Sequence, residues 1–259
     1  MALGNTLTDR HTISSYFARE HLANAKCMGG DEREIMAAAG LTVEQLAQAK
    51  ARVLAPQLAS IVSSCWKLCG DELLGFGRQK IKLGVFALLA KQLVYCKNLE
   101  EVITHIVDFY NLTGDQLHFE LDKSSAYIRL SAELNFAPQR ANRPPTSLIT
   151  ELLLLVCHRF PSWLVGRVIP LKQVLVKHAL PSHHEEYRLM FPCPCVYDSN
   201  DNALIFDASF LSLPVVQSPP DLEKYLSEIP LQWFRKQSYY DTYSARVIRF
   251  LESAVFEKE

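Results

Sequence analysis

Apolar residues recur along this chain at two different spacings, and the changes between them divide it into three zones. From about Thr12 to Thr113 the spacing is three and four, which predicts amphipathic helices. One runs from Ile13 towards Lys26, and a short one from Glu32 to Ala39 is stopped by Gly40. Thr42 then caps another, with Gln45 three residues on in a capping-box arrangement. Val53, Leu54, Leu58, Ile61, Val62, Cys65, Trp66 and Cys69 mark a longer helix ending at Gly70. Between Leu99 and Leu112, one stripe holds Leu99, Val102, Ile103, Ile106, Val107 and Tyr110, and Gly114 ends the helix.

The spacing then drops to two. Gln116–Leu121 and Ala126–Ser131 alternate apolar and polar, with Asp122–Ser125 between them, which predicts a β-hairpin. A polar loop, Gln139–Pro145, leads to a helix from Thr146 to Gly166 that is apolar on most sides and therefore central. A strand near Leu171–His178, a short helix near His184–Met190 and a strand at Ala203–Phe206 follow, and from Leu222 the chain is helical again. The expected fold is α+β: helices packed against a small, mainly antiparallel sheet, with a helical N-terminal region and a helical C-terminal linker.

Composition narrows the function. Hydrophobic residues make up 49% and charged residues 21%, which suits a folded chain and excludes wholesale disorder. A net charge of −1 supplies no surplus of cations for holding phosphate backbones. The longest apolar runs, Val85–Ala90 and Leu152–Cys157, fall far short of the roughly 20 residues of a membrane helix. Charges at Asp9, Arg10, Arg19 and Glu20 interrupt any export signal, so a cytoplasmic chain without membrane attachment is expected. Most of its seven cysteines then read as buried small hydrophobes, not a disulfide framework.

Four blocks, in order, resemble one family. They are Ala37-Ala38-Ala39-Gly40-Leu41; Trp66 with Gly70-Asp71-Glu72-Leu73-Leu74-Gly75; Asn98-Leu99-Glu100-Glu101-Val102 leading to Phe109-Tyr110; and Tyr187-Arg188-Leu189-Met190-Phe191 followed by Asn202-Ala203-Leu204-Ile205-Phe206. Together they are similar to the N-terminal effector domain, called arabinose-binding, of AraC-type transcription regulators. Members of that family usually continue into a double helix-turn-helix module, whereas this sequence stops at Glu259. The resemblance implies an effector-sensing and dimerisation domain over 1–235. It also implies a linker helix over 236–259, with Val247, Phe250, Leu251, Ala254 and Val255 on one stripe, and DNA binding only through a module beyond these residues. A homodimer is expected, because such regulators read paired half-sites.

Reacting groups are scarce. His183, His184, Cys193 and Cys195 are zinc-type ligands, but a C-x-C on an extended link directs its sulfurs to opposite faces, and no CxxC partners the histidines. No metal or cofactor is expected, and the histidines are expected at the surface. Cys65 and Cys69 share a helical stripe, and Cys157 with His158 reads as core plus helix surface. Neither G-x-S-x-G nor a phosphate-binding loop occurs, so an enzyme is not expected; a small metal-dependent hydrolase is the distant alternative.

For a ligand pocket, Trp66, Phe109 and Tyr110 on helices and His118 and Arg129 on the hairpin are the candidates, with Arg129 as anchor for a carboxylate. The expected partner is a small-molecule effector, a hydrophobic acid or an amino-acid derivative, acting by allostery. A dimerisation module without a small ligand is the other reading.

Overall fold

The computed structural model describes residues 12–48, 50–138 and 145–235. The expected loop at Gln139–Pro145 falls largely outside these residues, and the expected linker helix entirely so.

A short strand, β1 (Thr12–Ser14), opens the chain, and Ser14 caps helix α1 (Ser15–Cys27). Helices α2 (Glu32–Ala38) and α3 (Val43–Ala47) follow. The capping box at α3 is closed as its spacing requires: Gln45 N donates to Thr42 Oγ1 at 3.3 Å, and Thr42 N donates to Gln45 Oε1 at 2.9 Å. Two helix starts differ from expectation. Ile13 and Val53 lie in strands, because β1 pairs antiparallel with β2 (Arg52–Leu54), Ile13 opposite Val53. Each strand is three residues long, too short for its alternation to stand out against the helices that follow.

Helix α4 (Ala55–Cys69) ends at Gly70, whose φ of 57° is a left-handed conformation natural to glycine. Beyond it, Asp71 gathers the chain: Oδ1 accepts from Leu73 N and Ile81 N, and Oδ2 from Gly75 N. That clamp leads into α5 (Val85–Leu93), a helix the apolar run Val85–Ala90 did not announce because it holds barely two turns. Helix α6 (Leu99–Thr113) buries the expected Leu99, Val102, Ile103 and Ile106.

The hairpin forms β3 (Leu117–Asp122) and β4 (Tyr127–Leu134), with Leu117 opposite Leu134. Strand β7 (Ala203–Asp207) pairs antiparallel with β4, and β5 (Leu171–Leu175) antiparallel with β7. A two-residue strand, β6 (Cys195–Val196), adds parallel to β5, giving the order β3-β4-β7-β5-β6. One face of this sheet is apolar: Leu117, Phe119, Ile128, Leu130, Leu204 and Phe206 are buried.

Helix α7 (Ser147–Leu164) packs on β4 and β7 and is buried on nearly every side, as its pattern predicts. Helix α8 (Tyr187–Met190), α9 (Pro219–Ser227) and α10 (Leu231–Phe234) follow among the described residues, and α10 packs on α4 and α7. The fold is α+β with a mainly antiparallel sheet. No helix among the described residues is long and apolar enough to cross a membrane.

Candidate functional site

Helices covering the sheet leave space between them, and one gap is a cavity of about 330 Å³. Ile149, Leu152, Leu153 and Val156 of α7, at helical spacing, form one wall. Trp66 and Lys67 of α4, Phe86 and Ala87 of α5, Tyr110 of α6 and Leu117 of β3 form others. Ile229 and Trp233, from the C-terminal segment, complete the enclosure. That size, and a largely apolar and aromatic wall with few polar groups, are those of a small-molecule site.

The polar groups are specific. The Glu72 carboxylate accepts backbone N–H bonds from Gly84 (2.9 Å) and Phe86 (3.1 Å). Burial pushes its carboxyl up to about 7 even against these bonds, since a charge in an apolar wall loses its hydration. Burial, reinforced by Glu72, likewise raises the Tyr110 hydroxyl, which stays protonated. Trp66 Nε1 donates to the Glu72 carbonyl at 3.2 Å. Lys67 is exposed and forms no ion pair among the described residues.

Of the five residues predicted for a pocket, Trp66 and Tyr110 line this cavity. Phe109 does not line it; its ring stands edge-on to Tyr110, with centroids 5.3 Å apart. His118 and Arg129 are elsewhere. In β3 the buried residues are Leu117 and Phe119, so His118 projects from the opposite, outer face beside Glu120. Arg129 lies between buried Ile128 and Leu130 and pairs with Asp201, Nε to Oδ2 at 2.9 Å. Its charge is already neutralised by that carboxylate.

Sequence reasoning missed Glu72, Phe86, Leu152 and Trp233. Glu72 stands inside a block quoted for the family resemblance, next to the Asp71 clamp. Trp233 lies in a segment whose helical pattern gave no hint of what it covers.

Arg159 holds that segment. Its buried Nη1 donates to the carbonyls of Trp233 and Arg235, each at 2.6 Å. Trp233 and Leu152 also border a second, smaller cavity of about 50 Å³.

A buried polar cluster flanks α7. Glu151 Oε1 accepts from His183 Nε2 at 2.8 Å and from Tyr187 Oη at 2.7 Å. Because the one Tyr187 proton goes to Glu151, His178 Nε2 is the donor in its 2.8 Å contact with Tyr187 Oη. The Tyr16 ring stacks on His183 with centroids 3.8 Å apart. His183 is therefore core, contrary to the expected surface position, while His184 is exposed. His158 is also core, bonded to the Ile169 carbonyl at 2.7 Å, where helix surface was expected. Among the described residues no three His, Cys, Asp or Glu side chains form a metal-holding group.

The C-x-C expectation is corrected as well. Cys193 N donates to the Phe191 carbonyl at 2.7 Å, so the link turns back at Pro192 and does not run extended. The Cys195 thiol turns back to the Cys193 carbonyl, 3.7 Å away.

Comparison with known proteins gives one family. The model described as "Arabinose-binding domain of AraC transcription regulator, N-term" matches residues 29–215, more than half of the chain. The crystal structure of the transcriptional regulator CdpR from Pseudomonas aeruginosa is similar over 91% of this chain and 70% of that one, at 12% identity and a TM-score of 0.44. No curated protein matches significantly.

Proposed function

Given that the chain belongs to the arabinose-binding N-terminal domain family of AraC transcription regulators, we propose that residues 1–235 are an effector-sensing domain whose ligand occupies the 330 Å³ cavity. Residues 236–259 would then be the linker that transmits its state to a DNA-reading module. The observation that carries this reading is the double role of the C-terminal segment. Trp233 is a wall of the cavity, and the Trp233 and Arg235 carbonyls are held by Arg159 just where the chain leaves for residue 236. A ligand that changes how Trp233 packs changes the exit direction of the linker. It shifts the regulator only if its affinity differs between the two arrangements.

Ligand class follows from the wall. Apolar surface favours a hydrocarbon or aromatic body, and the polar cluster of a sugar site is missing from this wall. Glu72 already spends its oxygens on Gly84 and Phe86, whereas Lys67 has no ionic partner among the described residues. The effector is a hydrophobic carboxylate with its anion at Lys67, which replaces the earlier expectation of Arg129 as anchor. The active form is a homodimer, and the chemistry is regulatory, not catalytic.

Titration with octanoate, decanoate and 4-phenylbutyrate, with arabinose alongside, tests this through tryptophan fluorescence and thermal shift. A carboxylate at a hundred times its Kd adds about 2.7 kcal/mol of stability, and Lys67→Ala weakens it about tenfold without changing the unliganded Tm. If no carboxylate binds and light scattering still shows a dimer, the chain is a dimerisation module.

A further inference from the structure

The 50 Å³ cavity lies between α1, α4 and α7, where Phe17, Leu58, Leu148, Leu155 and Phe234 give it an apolar wall. It has room for roughly three to five waters, or for one small molecule of about as many heavy atoms. Two polar side chains break the wall, His21 from α1 and Glu151 from α7, and both are buried. The donors that reach Glu151 do so at one oxygen. His183 Nε2 and Tyr187 Oη donate to Oε1, and His178 Nε2 lies 3.9 Å from it. The other oxygen, Oε2, is buried with no hydrogen-bond partner among the described residues, and so is His21 Nδ1. Burial holds the His21 imidazole down to about 4, so it is neutral near neutral pH. Protonated at Nε2, it offers Nδ1 as an acceptor.

We propose that this cavity is a second binding site, for a primary alkylammonium ion whose nitrogen donates to Glu151 Oε2 and His21 Nδ1 while its alkyl chain lies against Leu148 and Leu155. Two buried acceptors need two donors, and a hydroxyl has one proton to give where a primary ammonium has three. Beside a carboxylate the positive charge adds to the hydrogen bond, and in an apolar enclosure a cation is tolerated only with such a partner. The other charged groups on the wall are engaged. Glu186 accepts from Ser14 N at 3.1 Å and pairs with Arg52 Nη1 at 2.6 Å. Arg159 stands about 12 Å further along the α7 axis than Glu151 and donates to the Trp233 and Arg235 carbonyls. The amine therefore belongs at the Glu151 end. Leu152 and Trp233 border this cavity and the 330 Å³ one alike, so the same two side chains feel an occupant of either.

Methyl NMR on the whole chain tests this, with propylammonium chloride and 1-propanol, a neutral molecule of the same shape, titrated separately near neutral pH, where alkylamines are protonated. Propylammonium should shift the methyl signals of Leu58, Leu148 and Leu155 and leave those of Leu117 and Val156, which border the 330 Å³ cavity, in place. It should bind at least about tenfold more tightly than 1-propanol, a charge-assisted hydrogen bond being about twice as strong as a neutral one. Glu151→Gln keeps an oxygen for His183 and Tyr187 but turns an amide N–H towards the cavity, and it should abolish that preference. The proposal falls if the amine gives no saturable shift, if the two molecules bind equally, or if the shifts appear at Leu117 and Val156 instead. These outcomes are read on the unaltered sequence, whether or not Glu151→Gln folds, and none depends on a carboxylate binding in the larger cavity.

Discussion

The indole of Trp233 meets that of Trp66 edge to face, with ring centroids 5.4 Å apart and planes at 81°. Trp233 stands equally edge-on to Phe86, at 5.5 Å. The last helix of the described chain is thereby held against α4 and α5 beside the cavity.

Trp233→Ala should remove this contact and merge the cavities on either side of it. A buried tryptophan truncated to alanine costs about 3–5 kcal/mol, read as a shift of the urea midpoint. Carboxylate binding should be lost in the same variant. Wild-type affinity in Trp233→Ala would mean that the C-terminal segment is no part of the site.

Arg159→Met should loosen the exit of the chain while leaving the apolar packing of α7 largely in place. Two carbonyls lose a charged donor, which costs at least about 1–3 kcal/mol. Amide exchange over residues 231–235 should accelerate more than exchange in β4 or β7. Uniform acceleration would instead report global destabilisation.

Glu72 should impose a pH dependence. Its carboxyl rises from an ordinary 4.5 to about 7 on folding, so the folded chain binds more protons than the unfolded one between those values. The associated stability is complete below about pH 4.5 and is lost as the pH rises through 7, on the order of 2–3 kcal/mol. Thermal denaturation from about pH 5 to 8 should show Tm falling, and Glu72→Gln should flatten the fall. An unchanged slope in the variant would place the titration elsewhere.

Tyr187→Phe should cost about 1–3 kcal/mol, because Glu151 and His178 lose a buried partner. Glu151→Ala should cost more, and the double variant less than the sum, since both act on one network. Additive costs in urea unfolding would show that the two side chains are energetically independent.

Much of this architecture is legible in the sequence. Short-range physics sets it: spacing of three and four marks α4, α6 and α7, alternation marks β3 and β4, and Thr42 with Gln45 marks the start of α3. The family blocks carried the assignment of the domain. Half of the aromatic wall, Trp66 and Tyr110, was identified on the same grounds.

Tertiary structure decided what depends on partners distant in sequence. Alternation separates the two faces of the hairpin but does not say what each face meets, so His118 and Arg129 stood as pocket candidates until the pairing of β4 with β7 set Arg129 against Asp201. Strands β1 and β2 exist only because each finds the other. Glu151 is a lone acid in an apolar helix until His183 and Tyr187 arrive from beyond β5. Trp233 becomes a wall only when α10 docks on α4 and α7. Side-chain spacing along the backbone determined the elements, whereas loop closure over long separations determined which of them meet, and the cavity belongs to the second kind of information.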